Sequence, residues 1–330
     1  MNSEEVSYAQ VLESLEQRIG AGGKMTREEA DLLVNIPDES IMSLLATADR
    51  IRIRFKGNLF DSCSLINARA GLCAEDCAFC AQSSHHQAES DTYPLVSGEK
   101  ILSAARAAKD AGASRFCAVT SGGALSEKEF QVLVDSLEKV HDQVDIALDA
   151  SLGFLDEERA HRLRAAGVTR YNHNLETSRE HYPNICKTHS FDQRVETVRT
   201  SIENGISACC GGILGLGETP AQRLDMAFTL EGLGVDSVPI NILNPRPGTP
   251  LQDVRPPQPL EILKTIAIFR MILPQATIKI AGGRERNLGD FQGMALRSGA
   301  NGMIIGGYLT TAGRALEADK EMVRQAGYVM

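Results

Sequence analysis

The sequence predicts an α/β protein whose main domain is a (β/α)8 TIM-type barrel, preceded by an N-terminal helical extension. Helical stretches repeatedly end in a glycine and are followed at once by a short apolar or β-branched segment, as in "RLRAAGVTRYNHNL". Eight candidate strands follow one another in this way, which indicates a parallel sheet. The 330 residues suffice for one barrel and an extension. A doubly wound open sheet is the alternative, and in both architectures the active site lies at the carboxyl ends of the strands.

Residues 1–50 are expected to form the helical extension. Within them, "TREEADLLV" begins at Thr26, a helix N-cap, and Glu29 follows three residues later to complete a capping box. The rest of the sequence has no flexible linker and no low-complexity segment. We therefore predict a single barrel domain, which is catalytic, over residues 51–330.

Start and stop signals divide the barrel into its elements. Asp156 and Thr219 are expected to cap two helices, and Pro220 after Thr219 suits a first helical position. The candidate strands lie near residues 62–66, 115–119, 145–149, 169–174, 206–210, 237–242, 277–281 and 302–306. The glycines expected to end helices in the left-handed conformation are Gly112, Gly167, Gly205, Gly234 and Gly299.

Composition and charge exclude several classes of function. The formal net charge is −9, and such a surface repels phosphate backbones, so we expect no nucleic-acid binding. Aromatic residues make up only 5% and Trp is absent, which argues against a base-stacking platform. The N-terminus lacks a basic segment followed by an apolar one, and no run of about 18 apolar residues occurs. We therefore expect a cytoplasmic protein without membrane association.

Three cysteines stand close together in "CAEDCAFC", at Cys73, Cys77 and Cys80. Cytoplasmic thiols are reduced, so this spacing favours metal ligation over disulfides. Three ligands are too few for a closed structural zinc site, and iron–sulfur clusters normally take four cysteines, so one metal position would stay open for an outside ligand. A zinc site completed by His85 or His86 is one alternative, and chance clustering is another.

Cys-x3-Cys-x2-Cys after the first barrel strand resembles the radical S-adenosylmethionine (SAM) superfamily. In that superfamily the three cysteines hold a [4Fe–4S] cluster and SAM chelates its fourth iron. The residue between the last two cysteines, here Phe79, lies near the adenine. Six further segments together are similar to the biotin synthase family, from about residue 50 to the C-terminus: "YNHNLET" (171–177), "GGILGLGET" (211–219), "SVPINIL" (237–243), "GTPL" (248–251), "GGRE" (282–285) and "GYLTTAG" (307–313). The resemblance implies a radical SAM sulfurtransferase that converts dethiobiotin to biotin.

The resemblance also implies which residues contact SAM and substrate. Those implied for SAM are Phe79, Asn172, Asn174, Glu176, Arg194 and Ile213. Those implied for dethiobiotin are Arg115, Asn172, Asn174 and Asn241. Glu176 would accept from the ribose hydroxyls and Arg194 would pair with the SAM carboxylate; a capped turn at the asparagines, a solvated charge at Arg194 and a structural role for Asn241 are the alternatives. No side chain is expected to act catalytically beyond the cofactors, and His173 is expected to be a satisfied structural histidine.

A second, auxiliary iron–sulfur cluster is implied by the family, but the sequence departs from the family's ligand pattern. Cys117 and Cys209 match two ligand positions, although Cys117 alone could also be a buried structural cysteine. Asp149 stands at the third cysteine position and Lys279 at the arginine position. Relative to the family pattern, this sequence has an additional cysteine, Cys210, next to Cys209.

We therefore predict that Cys117, Cys209 and Cys210 ligate a second cluster that is not the arginine-ligated [2Fe–2S] type. A strand irregularity at Gly211–Gly212 would be needed to turn Cys210 inward. Asp149 is the alternative fourth ligand, or else the partner of Lys279 in an ion pair. The remaining cysteines, Cys63 and Cys186, are expected to be non-ligands.

Partners follow from the same resemblance. They are dethiobiotin, an electron donor of flavodoxin or ferredoxin type, iron–sulfur assembly proteins, and a second copy of the chain in a homodimer. Two other functions stay open: another radical SAM enzyme, such as a hydrogenase-cofactor maturase, and a non-catalytic iron–sulfur carrier. A carrier would make no 5′-deoxyadenosine from SAM.

Overall fold

The computed structural model describes residues 7–307 and 313–330, and these form a closed parallel barrel. The strands are β1 (Asp61–Arg69), β2 (Arg115–Thr120), β3 (Ala147–Ser151), β4 (Val168–Asn172), β5 (Ser207–Cys209), β6 (Gly212–Leu214), β7 (Ser237–Ile242), β8 (Thr277–Ile280) and β9 (Gly302–Ile304). β5 and β6 are two pieces of one interrupted strand, because both pair with β7. Since β1 pairs with both β2 and β9, the ring closes over eight strand positions. The predicted fold class is confirmed.

Helices alternate with the strands and surround the barrel. They are α1 (Tyr8–Gly20), α2 (Arg27–Val34), α3 (Ile41–Lys56), α4 (Gly98–Asp110), α5 (Glu127–Gln143), α6 (Glu157–Ala165), α7 (Phe191–Glu203), α8 (Pro220–Leu233), α9 (Pro259–Ile272), α10 (Arg284–Asn287), α11 (Gln292–Leu296) and α12 (Leu316–Gln325). Short 3-10 turns lie at Asp38–Ser40, Tyr182–Asn184 and Gly289–Phe291. No described helix is long and apolar enough to cross a membrane.

The predicted helix signals are present. Thr26 and Glu29 form the capping box of α2, and Asp156 accepts a hydrogen bond from the third backbone amide of α6. Thr219 caps α8, whose first residue is Pro220. The five glycines expected at helix ends all have φ between 69° and 117°. Local backbone chemistry therefore sets where most of these helices begin and end.

The N-terminal helices pack directly on the barrel. Leu15 of α1, Leu33 of α2 and Leu44 of α3 are fully buried, and α3 packs against α9. α3 runs past residue 50 to Lys56, so the predicted boundary between extension and barrel falls inside a helix. At this junction the buried Arg52 donates to Asp49 at 2.8 Å, and its guanidinium lies 4.6 Å from the ring centroid of Tyr328 near the C-terminus.

The interruption between β5 and β6 is the irregularity expected at Gly211–Gly212. The backbone amide of Cys210 donates to the carbonyl of Ser237, and the carbonyl of Gly211 accepts from the amide of Leu175. A Cβ at position 211 would lie 2.0 Å from the carbonyl oxygen of Pro239. Only glycine therefore allows this approach of backbone to backbone.

Candidate active site

Two adjoining cavities open at the carboxyl ends of the strands. The barrel cavity, of about 330 Å³, is lined by residues that include Cys63, Cys117, Cys209 and Asn241. The loop cavity, of about 260 Å³, lies under the loop of residues 73–80. Both cavities share the side chains of Phe79, Cys80, Gln82, Val119, Ser151, Asn172 and Asn174. A ligand in one cavity would therefore touch a ligand in the other.

The three clustered cysteines all line the loop cavity. The amide of Cys73 donates to the carbonyl of Gln82 at 3.0 Å, and the amide of Cys80 donates to the carbonyl of Cys77 at 2.9 Å. The loop therefore folds back on itself and keeps the three side chains on one side. Among the described residues these three are the cysteines that line the loop cavity, and three thiols fit a cluster that keeps one iron open.

Cys77 also contacts a second group of ligand-type side chains. Its Sγ lies 3.9 Å from Sγ of Cys186 and 3.7 Å from Nε2 of His189. The ligand atoms of these three residues all lie within 4.8 Å of one another. The hydrogen bond from Cys77 lowers the pKa of Cys186 to about 4. Cys186, expected to be a non-ligand, is thus a direct neighbour of one of the clustered cysteines.

The neighbouring histidines have backbone partners instead. Nε2 of His85 lies 2.9 Å from the carbonyl oxygen of Ala74, and Nε2 of His86 lies 3.0 Å from that of Cys77. Neither ring nitrogen is held against the cysteine thiols. This arrangement does not support a zinc site completed by His85 or His86.

Glu176 and Arg194 form the polar side of the loop cavity. Glu176 is a non-glycine residue with φ of 68°, and its Oε2 is buried without a hydrogen-bond partner among the described residues. Burial raises the pKa of Glu176. Arg194 lies 3.7 Å from Glu176, donates to the hydroxyl of Tyr182 at 2.5 Å and donates to the carbonyl of Asn174 at 2.8 Å. The pair offers a fixed acceptor and a fixed cation to a polar ligand.

Asn172, the last residue of β4, and Asn174, two residues later, lie where the two cavities meet. Asn172 donates from Nδ2 to Sγ of Cys117 at 3.2 Å, while its Oδ1 has no partner among the described residues. Oδ1 of Asn174 accepts from the amide of Gly211 at 3.2 Å. One amide oxygen therefore remains available beside a thiol.

Asn241 and Ile213 line the barrel cavity, and Oδ1 of Asn241 accepts from the amide of Gly282 at 2.9 Å. His173 differs from the expectation of a satisfied histidine. Its Nε2 is buried without a hydrogen-bond partner among the described residues, and its ring centroid lies 5.5 Å from that of Phe154. Of "GYLTTAG", residues 308–312 lie outside the described residues.

The buried thiols separate into two groups. Cys63, Cys117 and Cys209 line the barrel cavity, and burial raises the pKa of Cys63 to about 12 and that of the other two as well. Cys210 does not line it, because its side chain lies in the apolar core. The structure thus brings Cys117 and Cys209 together but not Cys210. Cys63, expected to be a non-ligand because no sequence motif surrounds it, lines the same cavity as Cys117 and Cys209.

Five charged side chains, which we call the charged floor, lie at the level of the barrel-cavity thiols and below them: Asp61, Arg115, Asp149, Arg170 and Lys279. Asp149 is paired with Arg115 at 2.6 Å, and Lys279 is paired with Asp61 at 2.6 Å. The expected ion pair between Asp149 and Lys279 is therefore wrong. Arg115, implied as a substrate contact, does not line the barrel cavity, and its guanidinium donates to Asp149 at 2.7 Å.

Comparison with known proteins adds the family context. Residues 70–230 match the family model of the Radical SAM superfamily, and residues 239–329 match that of the Biotin and Thiamin Synthesis associated domain. The chain is 48% identical over 309 residues to the biotin synthase of Pelotomaculum thermopropionicum, covering 94% of this chain and 96% of the relative. It is 47% identical over 316 residues to the biotin synthase of Geobacter sulfurreducens, covering 96% of each.

Solved structures agree in fold. Methylornithine synthase superposes with a TM-score of 0.83 at 20% identity, covering 95% of this chain and 96% of the other. The [FeFe]-hydrogenase maturase HydG from Carboxydothermus hydrogenoformans superposes with a TM-score of 0.81 at 19% identity, covering 97% of this chain and 79% of the other. At these identities the likeness is one of fold alone and does not favour either protein's activity.

Proposed function

The chain belongs to the biotin synthase family of radical SAM enzymes, and from this premise we propose how its two cavities divide the reaction. The family implies a [4Fe–4S] cluster with SAM, and an auxiliary cluster that supplies sulfur. We propose that the loop cavity holds the first cluster and SAM. The barrel cavity holds dethiobiotin above the auxiliary cluster.

The donor set of the loop cavity fits the first of these groups. Cys73, Cys77 and Cys80 would be the thiolate ligands, and the open iron position would take SAM. Glu176 offers its buried unpartnered oxygen to hydroxyl groups, and Arg194 offers a guanidinium to a carboxylate. When bound, the reduced cluster and SAM supply the one-electron chemistry that activates the carbon–hydrogen bonds of the substrate. Phe79, and Ile213 from the adjoining cavity, provide apolar surface for the adenine.

The barrel cavity suits a small cyclic urea with an aliphatic tail. Amide side chains of Asn172, Asn174 and Asn241 can donate to and accept from the urea group. Apolar side chains of Leu65, Val119 and Ile304 line the same cavity, together with the buried thiols. The protein side chains thus orient the substrate and exclude water, and the hard chemistry belongs to the cofactors.

The auxiliary cluster would be held by Cys117 and Cys209, and its ligand set differs from an arginine-ligated one. Lys279 cannot reproduce the planar fork of arginine and is bound to Asp61. Asp149 is not offered as a fourth ligand, because it does not line the barrel cavity and its Oδ1 is bound to Arg115. We propose a cluster with three thiolates and one open iron. Cys210 is not carried forward as the third thiolate because its side chain lies outside the cavity.

One observation carries this division of roles. Asn172 lines both cavities and its amide contacts Sγ of Cys117 at 3.2 Å. A substrate held by Asn172 would therefore lie between the SAM site on one side and the sulfur-bearing site on the other. Hydrogen removal and sulfur insertion at one carbon need this order of groups.

The test is single-turnover chemistry with the anaerobically reconstituted protein, SAM and a strong reductant. Dethiobiotin is expected to raise the yield of 5′-deoxyadenosine above the uncoupled background and to become biotin. An absence of both effects would contradict the substrate assignment. A carrier would make no 5′-deoxyadenosine at all, and a different radical SAM enzyme would make it without a response to dethiobiotin.

The partners of the reaction are proposals as well. The family's chemistry needs low-potential electrons and assembled clusters, so a flavodoxin or ferredoxin and iron–sulfur assembly proteins would serve the enzyme. We also propose a homodimer located in the cytoplasm. Light scattering of the reconstituted protein tests the oligomeric state.

A further inference from the structure

We propose that Cys63 is the third thiolate ligand of the auxiliary cluster, together with Cys117 and Cys209. The inference rests on the proposed function, because it assumes that an auxiliary cluster occupies the barrel cavity. It differs from the sequence-based prediction, which took Cys210 as the third thiolate and Cys63 as a non-ligand.

Position in the sheet supports Cys63. On β1, Leu65 is the register partner of Cys117 on β2, and Cys63 lies two residues earlier on the same face of its strand. Cys209 is the register partner of Asn172, whose amide contacts Sγ of Cys117. Three strands around the ring therefore present one thiol each to the barrel cavity.

Cys210 faces the other way. It directly follows Cys209, the last residue of β5, but unlike Cys209 it does not line the barrel cavity. Cys210 is fully buried in the apolar core, and the charges nearest to it, apart from the Cys209 thiol, are those of Glu176 and Arg194 beside the loop cavity. To reach the barrel cavity, the backbone would have to turn over between Cys209 and Gly211.

The spacing of the three thiols fits a cluster better than a single ion. Thiolates around one tetrahedral zinc ion lie about 3.8 Å apart, from a metal–sulfur bond of about 2.3 Å. Among the described residues, Cys77, Cys186 and His189 alone bring three such ligand atoms within 4.8 Å. The Sγ atoms of Cys63, Cys117 and Cys209 therefore do not all lie within 4.8 Å of one another. A polynuclear cluster, whose irons occupy separate corners, can join ligands at that separation.

Charge also favours thiolates at this level of the barrel. The charged floor has three cations and two carboxylates, so one positive charge is left over. Lys279 lines the same cavity as Cys63 and Cys209, so a cation of the charged floor lies beside these thiols. Asp149 and Asp61 are each paired with a cation and do not line the barrel cavity, whereas the three thiols do and are the softer ligands for iron.

The test isolates the auxiliary cluster by its iron. In a full-length background in which the cysteines of the 73–80 loop are alanine, iron, sulfide and Mössbauer spectra report the second cluster alone. Cys63→Ala is expected to lose as much iron and sulfide as Cys117→Ala. Cys210→Ala, an equally buried neighbour, is the matched control and is expected to keep the full amount. With the loop cysteines restored, Cys63→Ala should still cleave SAM but form no biotin.

The other possible outcomes contradict either the assignment of Cys63 or the proposed function as a whole. Full iron in Cys63→Ala, or equal loss in Cys210→Ala, overturns the assignment of Cys63. Full iron in Cys117→Ala as well means that no auxiliary cluster occupies the cavity, and the proposed function fails with the assignment. If Cys63→Ala does not fold, Cys63→Ser keeps the side-chain volume. An unchanged Mössbauer spectrum in Cys63→Ser then overturns the proposal.

Discussion

At the scale of single residues, the Cys77 thiol lies within reach of two ligand sets. One is formed with Cys73 and Cys80 around the loop cavity, and the other with Cys186 and His189 at 3.9 Å and 3.7 Å. A two-cysteine, one-histidine set is typical of zinc, whereas three cysteines around a cavity with a free position suit a SAM-binding cluster. Membership of the biotin synthase family favours the SAM-binding cluster held by Cys73, Cys77 and Cys80.

We expect Cys77→Ala to abolish reductive cleavage of SAM, because two thiolates cannot hold the cluster. Cys186→Ala should keep both the cluster spectrum and the production of 5′-deoxyadenosine. Visible absorption and product chromatography check both variants. Normal 5′-deoxyadenosine in Cys77→Ala would refute the ligand assignment, and its loss in Cys186→Ala would favour the histidine-containing set.

Substitution of Asn172 should separate SAM cleavage from biotin formation. Asn172→Asp keeps the shape of the side chain but replaces the donor to Sγ of Cys117 with a negative charge. Mutation of a group that orients a metal ligand typically lowers metal affinity or activity by about 10- to 100-fold. We expect biotin formation to fall by about this factor while substrate-independent SAM cleavage persists. Asn204→Asp, at the end of α7, controls for the added charge, and an unaltered biotin yield in Asn172→Asp would exclude this role.

Residues in dense local motifs can be expected to lie close together from the sequence, whereas isolated residues cannot. "CAEDCAFC" and "YNHNLET" carry their spacing within one loop or one strand end, and their cysteines and asparagines line the loop cavity. The position of Cys63 depends on how β1 is placed between β2 and β9. The partner of Asp149 depends on the same long-range packing, since Arg115 and Lys279 are both cations of the barrel interior.

At the scale of elements, Asp76 connects the cysteine loop to the segment before α7. Its Oδ1 accepts from the amides of Lys187 at 2.9 Å and Thr188 at 3.1 Å, and from the Thr188 hydroxyl at 3.1 Å. The amide of Ala78 in turn donates to the carbonyl of Ile185. Partial burial acts to raise the pKa of Asp76, but these hydrogen bonds outweigh burial and hold that pKa well below its usual range.

The lowered pKa fixes the sign of a pH dependence. The stabilisation is present above the pKa of an unfolded aspartate, about 3.9, and is lost as the pH falls towards the folded-state pKa. We expect Asp76→Asn to lower the free energy of unfolding of the apoprotein by about 1–2 kcal/mol at neutral pH, and the difference to shrink below about pH 4. Denaturant titrations of both proteins at neutral pH and below about pH 4 measure the difference in the free energy of unfolding. Asp253→Asn removes an exposed loop carboxylate as the control, and a difference that grows in acid would contradict the assignment.

The order of the strands was predictable because each helix-to-strand junction carries its own signal. Glycines, caps and short apolar runs repeat along the chain, and each candidate strand overlaps an observed one. The short helices α10 and α11 carry no such signal. The division of the fifth strand was expected only as a possible irregularity, since the contact that requires Gly211 is made with Pro239 on another strand.

At the scale of the whole molecule, the extension and the barrel share one core. α1 and α2 bury Leu15 and Leu33 completely, α3 continues across the predicted domain boundary, and Arg52 on α3 stacks on Tyr328 near the C-terminus. None of the residues that line either cavity comes from these three helices. The extension therefore contributes stability rather than ligands.

This arrangement predicts that the extension unfolds together with the barrel. Calorimetry of the apoprotein should show a single unfolding transition. Leu33→Ala should lower the temperature of this whole transition, because truncating a fully buried leucine lowers the free energy of unfolding by about 2–5 kcal/mol. Met42→Ala, an equivalent truncation of a side chain that is 57% exposed on α3, should leave the transition unchanged. The reconstituted Leu33→Ala enzyme should still produce 5′-deoxyadenosine at the normal rate below its transition, since Leu33 lies outside both cavities. Two separate transitions, of which only the smaller responds to Leu33→Ala, would instead show that the extension is an independent domain.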